Sequence, residues 1–249
     1  MRIDKLLEKN GKYKIYLDNG EVITTYDQVI IDNKLLYAKE IDDLVYEKVL
    51  KDTYNYGMYD KCIKLINKKM RTKKEIESYL YKQNIDKYMI NNIITRLINN
   101  GLLNEDMYIK AYINDKLNFT MDGPYKIRNY LVENELDMDL IDLELSKIDM
   151  SIFEDKLIKY ITKKALSNKT SIYQFRIKML NDLISKGYDK ETILRYLDNV
   201  KVASNIKADY EKIYTKLSKK YDGDILMQNV KNKLYQKGYN TEEINEIIK

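Results

Sequence analysis

The chain has 249 residues, 33% of them charged and 44% hydrophobic, and its 44 Lys and Arg against 39 Asp and Glu leave a net charge of +5. That balance can bury a core, which excludes a disordered chain. With 8 Gly and 1 Pro the chain is too poor in turn residues for a many-stranded sandwich or barrel, and it lacks the clustered glycines of a phosphate-binding loop.

The missing residue types bound the chemistry. Without a single His, Ser-His-Asp and Cys-His catalysis and His-ligated metal sites are excluded. The lone Cys62 cannot form an internal disulfide or a cysteine zinc site, and its apolar neighbours Ile63, Leu65 and Ile66 mark it as a small core residue. No Asp-x-Asp-Gly-x-Asp run is present, so an EF-hand is absent. The start, Met1-Arg2-Ile3-Asp4-Lys5, has no apolar run behind it, and no stretch approaches the ~18 apolar residues of a membrane span. A cytoplasmic protein that avoids membranes is expected.

Residues 1–40 read as a small β-rich cap. Lys12 to Leu17 alternates polar and apolar residues, Glu21 to Tyr26 does so less strictly, and Asp18-Asn19-Gly20 lies between them. Asn-Gly in that place signals a hairpin in which both residues take positive φ. Gln28 to Ile31 and Leu35 to Tyr37 add a further short strand or a turn of helix. A cap of this size is too small to be stable alone and must pack on the helical part of the chain. Residues 41–53 read as a linking helix, with Leu44, Val45 and Val49 on one face.

Beyond residue 53 the chain repeats. Leu80, Leu131, Leu183 and Leu234 recur at intervals of 51, 52 and 51 residues, as do Ile90, Ile141, Ile193 and Ile244. The positions Ile85, Leu136, Tyr188 and Tyr239 keep the same spacing, each followed by a polar residue: Asp86, Asp137, Asp189 and Asn240. The Leu lies on the buried face of one helix. The polar residue is the N-cap of the next helix, and the Ile is that helix's first core contact. Gly187 and Gly238, aligned with Asn84 and Glu135, suit helix C-caps. Thr72 with Glu75 is a capping box, and Gly123-Pro124 opens another helix. A third helix precedes each pair, at about Met58–Lys69, Glu105–Asn118, Ser151–Leu166 and Ile206–Lys219. The fold class expected is mainly α: an elongated array of four tandem three-helix repeats, over 54–103, 104–149, 150–200 and 201–249, behind the β-rich cap.

Charge is uneven along this array, with net values of −2 for residues 1–53, then +6, −6, +4 and +3 for the four repeats. Lys64, Lys68, Lys69, Arg71, Lys73 and Lys74 form the densest basic run, with no acid between them. Such a corner can meet phosphate or an acidic protein surface, or it can be a solvated helix end that suits the dipole. Lys126, Arg128, Lys163, Lys164, Arg176 and Lys178 are the next cationic candidates. The acids Glu133, Glu135, Asp137, Asp139, Asp142 and Glu144 read as caps and a solvated face without metal-ligand spacing. The 24 Tyr are better explained by AT-rich coding than by base stacking.

Two segments carry a family resemblance. Gly101-Leu102-Leu103-Asn104-Glu105-Asp106-Met107-Tyr108-Ile109-Lys110-Ala111-Tyr112, followed by Gly123-Pro124-Tyr125-Lys126-Ile127-Arg128-Asn129-Tyr130-Leu131, resembles the RecX family. Arg71 to Leu97 resembles the segment that precedes them there. The β-rich start and the fourth repeat resemble the longer Gram-positive members. Ile109 and Glu135-Leu136 depart from the family pattern, in ways that concern packing and capping. The resemblance implies a monomeric, non-catalytic regulator without cofactor that lies in the groove of the RecA–single-stranded DNA filament and restrains strand exchange and coprotease activity. Direct contact with single- or double-stranded DNA stays open. Two other classes also remain: a stand-alone nucleic-acid-binding helical repeat protein, and a metal-dependent enzyme using only carboxylates and lysines.

Overall fold

The computed structural model describes residues 1–248 and divides the chain into two compact units, Met1–Tyr108 and Ile109–Lys249. The fold is mainly helical with a small amino-terminal sheet, as the sequence pattern requires.

The first unit opens with strands β1 (Ile3–Lys9), β2 (Lys12–Leu17) and β3 (Val22–Tyr26), antiparallel in that order. The first of these was not legible as a strand. It is joined to β2 by Asn10-Gly11, with φ of 56° and 71°, across the Lys9–Lys12 pair. Two left-handed residues between paired neighbours are the tight hairpin turn that Asn-Gly favours. The expectation for Asn19 and Gly20 is half right. Gly20 has φ of 86°, whereas Asn19 is not left-handed. Leu17 N–H reaches the Glu21 carbonyl at 3.0 Å and Gly20 N–H the Leu17 carbonyl at 3.0 Å. The connection therefore holds three residues with one left-handed glycine, the second common way to close a hairpin.

Helix α1 (Asp27–Asp32) and a 3₁₀ turn (Leu35–Tyr37) come next, so this stretch adds helix rather than a strand. Ile15, Leu17 and Ile23 of the sheet share a buried cluster with Val29, Ile30, Leu35, Ile41 and Val49. Val49 belongs to helix α2 (Asp43–Lys68), whose Asp42 carboxylate accepts from Val45 N–H at 2.7 Å. The linking helix expected over 41–53 and the helix expected from Met58 are thus one rod of 26 residues, and the boundary drawn at 53/54 falls inside it. Gly57 does not break the rod, because hydrogen-bonded neighbours on both sides hold its conformation and packing outweighs its modest cost. Beyond Gly57, Met58, Tyr59 and Cys62 enter a second cluster with helices α3 (Lys73–Lys82) and α4 (Lys87–Asn99). Cys62 is fully buried, and desolvation pushes its thiol up to about 11.

Helix α5 (Glu105–Phe119) crosses the division between the units, and the second unit continues with α6 (Pro124–Glu133) and α7 (Met138–Ser146). Helices α8 (Ser151–Leu166), α9 (Ile172–Ser185) and α10 (Lys190–Asn199) are the third triplet. Helices α11 (Ile206–Leu217), α12 (Gly223–Gln236) and α13 (Thr241–Ile248) are the fourth. All four repeated Leu are 0% exposed, and the repeated Ile are at most 1% exposed. The anticipated caps form: Asp86, Asp137, Asp189 and Asn240 accept from backbone N–H groups of α4, α7, α10 and α13. Thr72 and Glu75 make the capping box. One feature was not anticipated. Helices α9 and α12 have 14 residues where α3 and α6 have 10, an extra turn at the amino end.

The turn after each of these helices is built the same way. Asn84, Glu135, Gly187 and Gly238 have φ of 57°, 60°, 83° and 84°. The next N–H in each case returns to the repeated Leu carbonyl, at 3.1 to 3.3 Å. This is a Schellman closure, which satisfies carbonyls that the helix end leaves open. Inside the second unit these turns also join repeats. Gly123 N–H donates to the Lys186 carbonyl at 2.6 Å and Tyr125 N–H to the Gly187 carbonyl at 3.2 Å. One repeat later, the Ser171 hydroxyl donates to the Lys237 carbonyl at 2.8 Å. A Cβ on Gly187 would lie 2.3 Å from the Lys126 nitrogen, so glycine is required there by both φ and space. Gly187→Ala should cost about 2–5 kcal/mol, combining left-handed strain with overpacking. Asn84→Gly, at the equivalent turn without that role, should be neutral or mildly stabilising. Urea unfolding of the two variants measures the contrast.

The fourth repeat is tied by a buried carboxylate. Asp209 accepts from Lys237 at 2.9 Å and from the Tyr239 hydroxyl at 2.8 Å. Desolvation alone would raise its carboxyl, but these two partners more than offset this and hold it below its ordinary value. A depressed carboxyl stabilises the fold above its unfolded pKa, near ~3.9, and that contribution is lost as pH falls through the folded value. Asp209→Asn should therefore be less stable than the parent at pH 7, with a gap that narrows as the pH drops below ~4. Urea midpoints at the two pH values test this.

Candidate interaction surface

The densest basic run lies where α2 ends and α3 begins. Lys64 and Lys68 are exposed on the last turns of α2, Lys69 is exposed just past its end, and Lys73 is exposed on the first turn of α3. The sequence shows no acid between residues 64 and 74, but the fold supplies acids from just outside. Lys64 pairs with Asp60 at 2.8 Å, Arg71 with Glu75 at 3.3 Å and Lys73 with Glu77 at 3.7 Å. Each pair is four residues apart, so one helical turn brings the partners together. Arg71 is half-buried, with a buried Nε that has no hydrogen-bond partner, which places it in the packing around the capping box. Lys74 is also partnered. Among the described residues, Lys68 and Lys69 of this run make no ion pair, and they are its least neutralised charges.

The other six cations sit on three helices of the second unit. On α6, Lys126 pairs with Asp122 at 2.7 Å, and Arg128 grips Asp142 through two contacts of 2.6 and 2.9 Å. Asp122 is nearly buried and also holds Lys116 at 3.0 Å. Desolvation would raise the Asp122 carboxyl, yet its two lysines hold it below its ordinary value. On α8, Lys164 lies 5.4 Å from the centre of the Tyr160 ring and Lys163 is exposed. On α9, Arg176 pairs with Asp198 at 3.5 Å and Lys178 is exposed. Lys126 and Arg128 are thus anchored by carboxylates of their own unit. Among the described residues Lys163 and Lys178 make no ion pair.

A further cation was not singled out from the sequence. Arg96 of α4 lies with its guanidinium carbon 4.3 Å from the centres of both the Tyr56 and the Tyr59 rings of α2. No spacing rule foretells this, because it depends on where α2 and α4 pass each other. Tyr56 and Tyr59, three apart on one helix face, were the only available hint. The described residues hold no cluster of three or more potential metal ligands, and none of their helices is long and apolar enough to cross a membrane.

The fold and surface describe a protein of helical triplets behind a β-rich cap, carrying exposed and paired cations. No family model matches the chain. It is similar to proteins named regulatory protein RecX. One, from Streptococcus agalactiae, is 28% identical over 100% of this chain and 99% of its own length. Another, from Bacillus cytotoxicus, is 27% identical over 94% of this chain and 90% of its own length. A crystal structure of regulatory protein RecX shares the fold with a TM-score of 0.66 at 20% identity, covering 79% of this chain and 98% of that one. The crystal structure of RecX from Lactobacillus salivarius gives 0.50 at 23% identity, covering 59% of this chain and 97% of that one. The resemblance to RecX read over about residues 50–200, with the β-rich start and the fourth repeat likened to longer members, is matched by similarity over the full chain.

Proposed function

We propose that this chain is a regulator of RecA: a non-catalytic cytoplasmic protein that binds RecA–single-stranded DNA filaments in their groove and restrains recombinase and coprotease activity in DNA repair and the SOS response. The observation that carries this reading is the full-length similarity to proteins named regulatory protein RecX. The residue content is in keeping with it, since the absence of His and of a phosphate loop removes the His-dependent and P-loop enzyme classes. A chain that repeats a helical triplet also suits a partner that is itself a repeating polymer. It acts as a monomer and needs no cofactor. The proposed contact surface is the cationic set on α2–α3, α6, α8 and α9, in which Lys68, Lys69, Lys163 and Lys178 offer charge not already held by an internal carboxylate.

The test separates held from available cations. Reversing Lys68 and Lys69 to Glu should weaken inhibition of RecA ATPase on single-stranded DNA by about tenfold and flatten its dependence on salt, because fewer cations then attract the filament. Neutralising Lys64 and Lys73 to Gln should change inhibition by less than about twofold, since their charges are already shared with Asp60 and Glu77. Circular dichroism checks that both variants fold. Equal inhibition by all forms would remove this corner from the contact surface. Inhibition that tracks affinity for naked DNA alone would instead favour the stand-alone nucleic-acid-binding reading.

A further inference from the structure

The space around Arg96 is a cleft of about 190 Å³ lined by Lys51, Asn55, Tyr56, Tyr59, Met89 and Asn92, among others. Four observations bear on what it takes. Arg96 is half-buried and, among the described residues, makes no ion pair, while its guanidinium carbon lies over both tyrosine rings. Its edge also approaches the Tyr56 hydroxyl, which donates to Asp32 at 2.9 Å, and the donors that remain match a planar carboxylate. Lys51 at the cleft is exposed and likewise makes no ion pair among the described residues, which gives the lining two cations against one acid. Its one acidic member, Asp86, is already engaged as the cap of α4. Finally, Asn55 has a buried side-chain oxygen that accepts no hydrogen bond.

We infer that this cleft receives an acidic side chain, Asp or Glu, of a partner protein. The volume fits one amino-acid side chain and is below the ~300 Å³ at which pockets for small-molecule ligands begin. The Asn55 oxygen is sealed within the wall, so the groups a ligand meets are the donors of Arg96 and Lys51. Backbone recognition of nucleic acid also works through rows of cations tracking successive phosphates, and this cleft is a single concavity with two. Recessed, aromatic-flanked arginines are the kind of residue that dominates protein interfaces. The inference rests on the proposed function only in taking the partner to be a protein, and it uses none of the cations proposed there.

The experiment uses the full chain carrying ¹³C-methyl methionine, in which Met89 reports from the cleft wall. The probes are N-acetyl-glutamate N-methylamide and its glutamine counterpart. The glutamate compound should shift the Met89 methyl signal saturably, and the glutamine compound should bind at least tenfold more weakly. Arg96→Lys keeps the charge but loses the stacked, two-pronged geometry, and should weaken glutamate binding at least tenfold. Lys51→Glu, at an exposed position that does not endanger folding, should weaken it several-fold, while reversal of Lys68 and Lys69 should leave it unchanged. Equal shifts with both probes, or parental affinity in Lys51→Glu, would overturn the inference. A shift produced by oligothymidylate and not by the glutamate compound would overturn it too, and would assign the cleft to nucleic acid. Loss of ATPase inhibition on reversing Lys68 and Lys69 with an intact Met89 response separates the fate of this cleft from that of the basic corner.

Discussion

The structure depends on how the second helix of each triplet ends. Four times the chain leaves that helix through a left-handed residue, returns one N–H to the carbonyl of a fully buried Leu, and starts the next helix under a polar cap. The closure fixes the angle at which the third helix departs, and so fixes where its first Ile enters the core. Within the second unit it also presents backbone carbonyls to the neighbouring repeat, so that the same turn ends one helix and receives the start of another. A side chain at Gly187 would spoil both roles, whereas Asn84 and Glu135 show that the closure by itself tolerates a side chain.

This division of labour explains why the surface cations differ in kind. Where a triplet needs electrostatic bracing, the acid is local: Asp122 collects Lys116 and Lys126, and Asp209 collects Lys237 and the Tyr239 hydroxyl. Such half-buried pairs consume charge that a composition count would assign to a partner. Net charge by segment is therefore a poor guide to a binding face. What matters is the charge left after internal pairing, and Lys68 and Lys69, Lys163 and Lys178, and Arg96 with Lys51 are among the cations that keep theirs.

The repeats were legible because every unit solves the same packing problem with the same few side chains, and the period of 51 or 52 residues makes those solutions superpose. Caps were legible for the same reason, since Asp and Asn act on backbone groups two or three residues away. Legibility failed where pairing partners decide the outcome. Ile3–Lys9 lacks strict alternation and becomes a strand because β2 offers it an edge. Two identical Asn-Gly pairs adopt different turns because one closes a two-residue connection and the other a three-residue one. The carboxylates that hold Lys64, Arg71 and Lys73 lie at readable four-residue spacings, but the full seating of Arg71 and Arg96 comes from helix crossings that no local pattern encodes.

Helix α2 gives the cap a different standing from an appended module. Its first half is covered by the sheet through Val49, and its second half supplies Met58, Tyr59 and Cys62 to the core of the first triplet. At 26 residues the rod is about 39 Å long, with no interruption at which the two halves can part. The terminal units of a repeat protein need something to cover their open apolar end. Here that cover is wired to the first triplet through one continuous backbone. Loosening of the sheet would propagate down the rod as fraying, so the cap and the first triplet should melt as a single cooperative body, with the buried thiol of Cys62 becoming reactive in the same step.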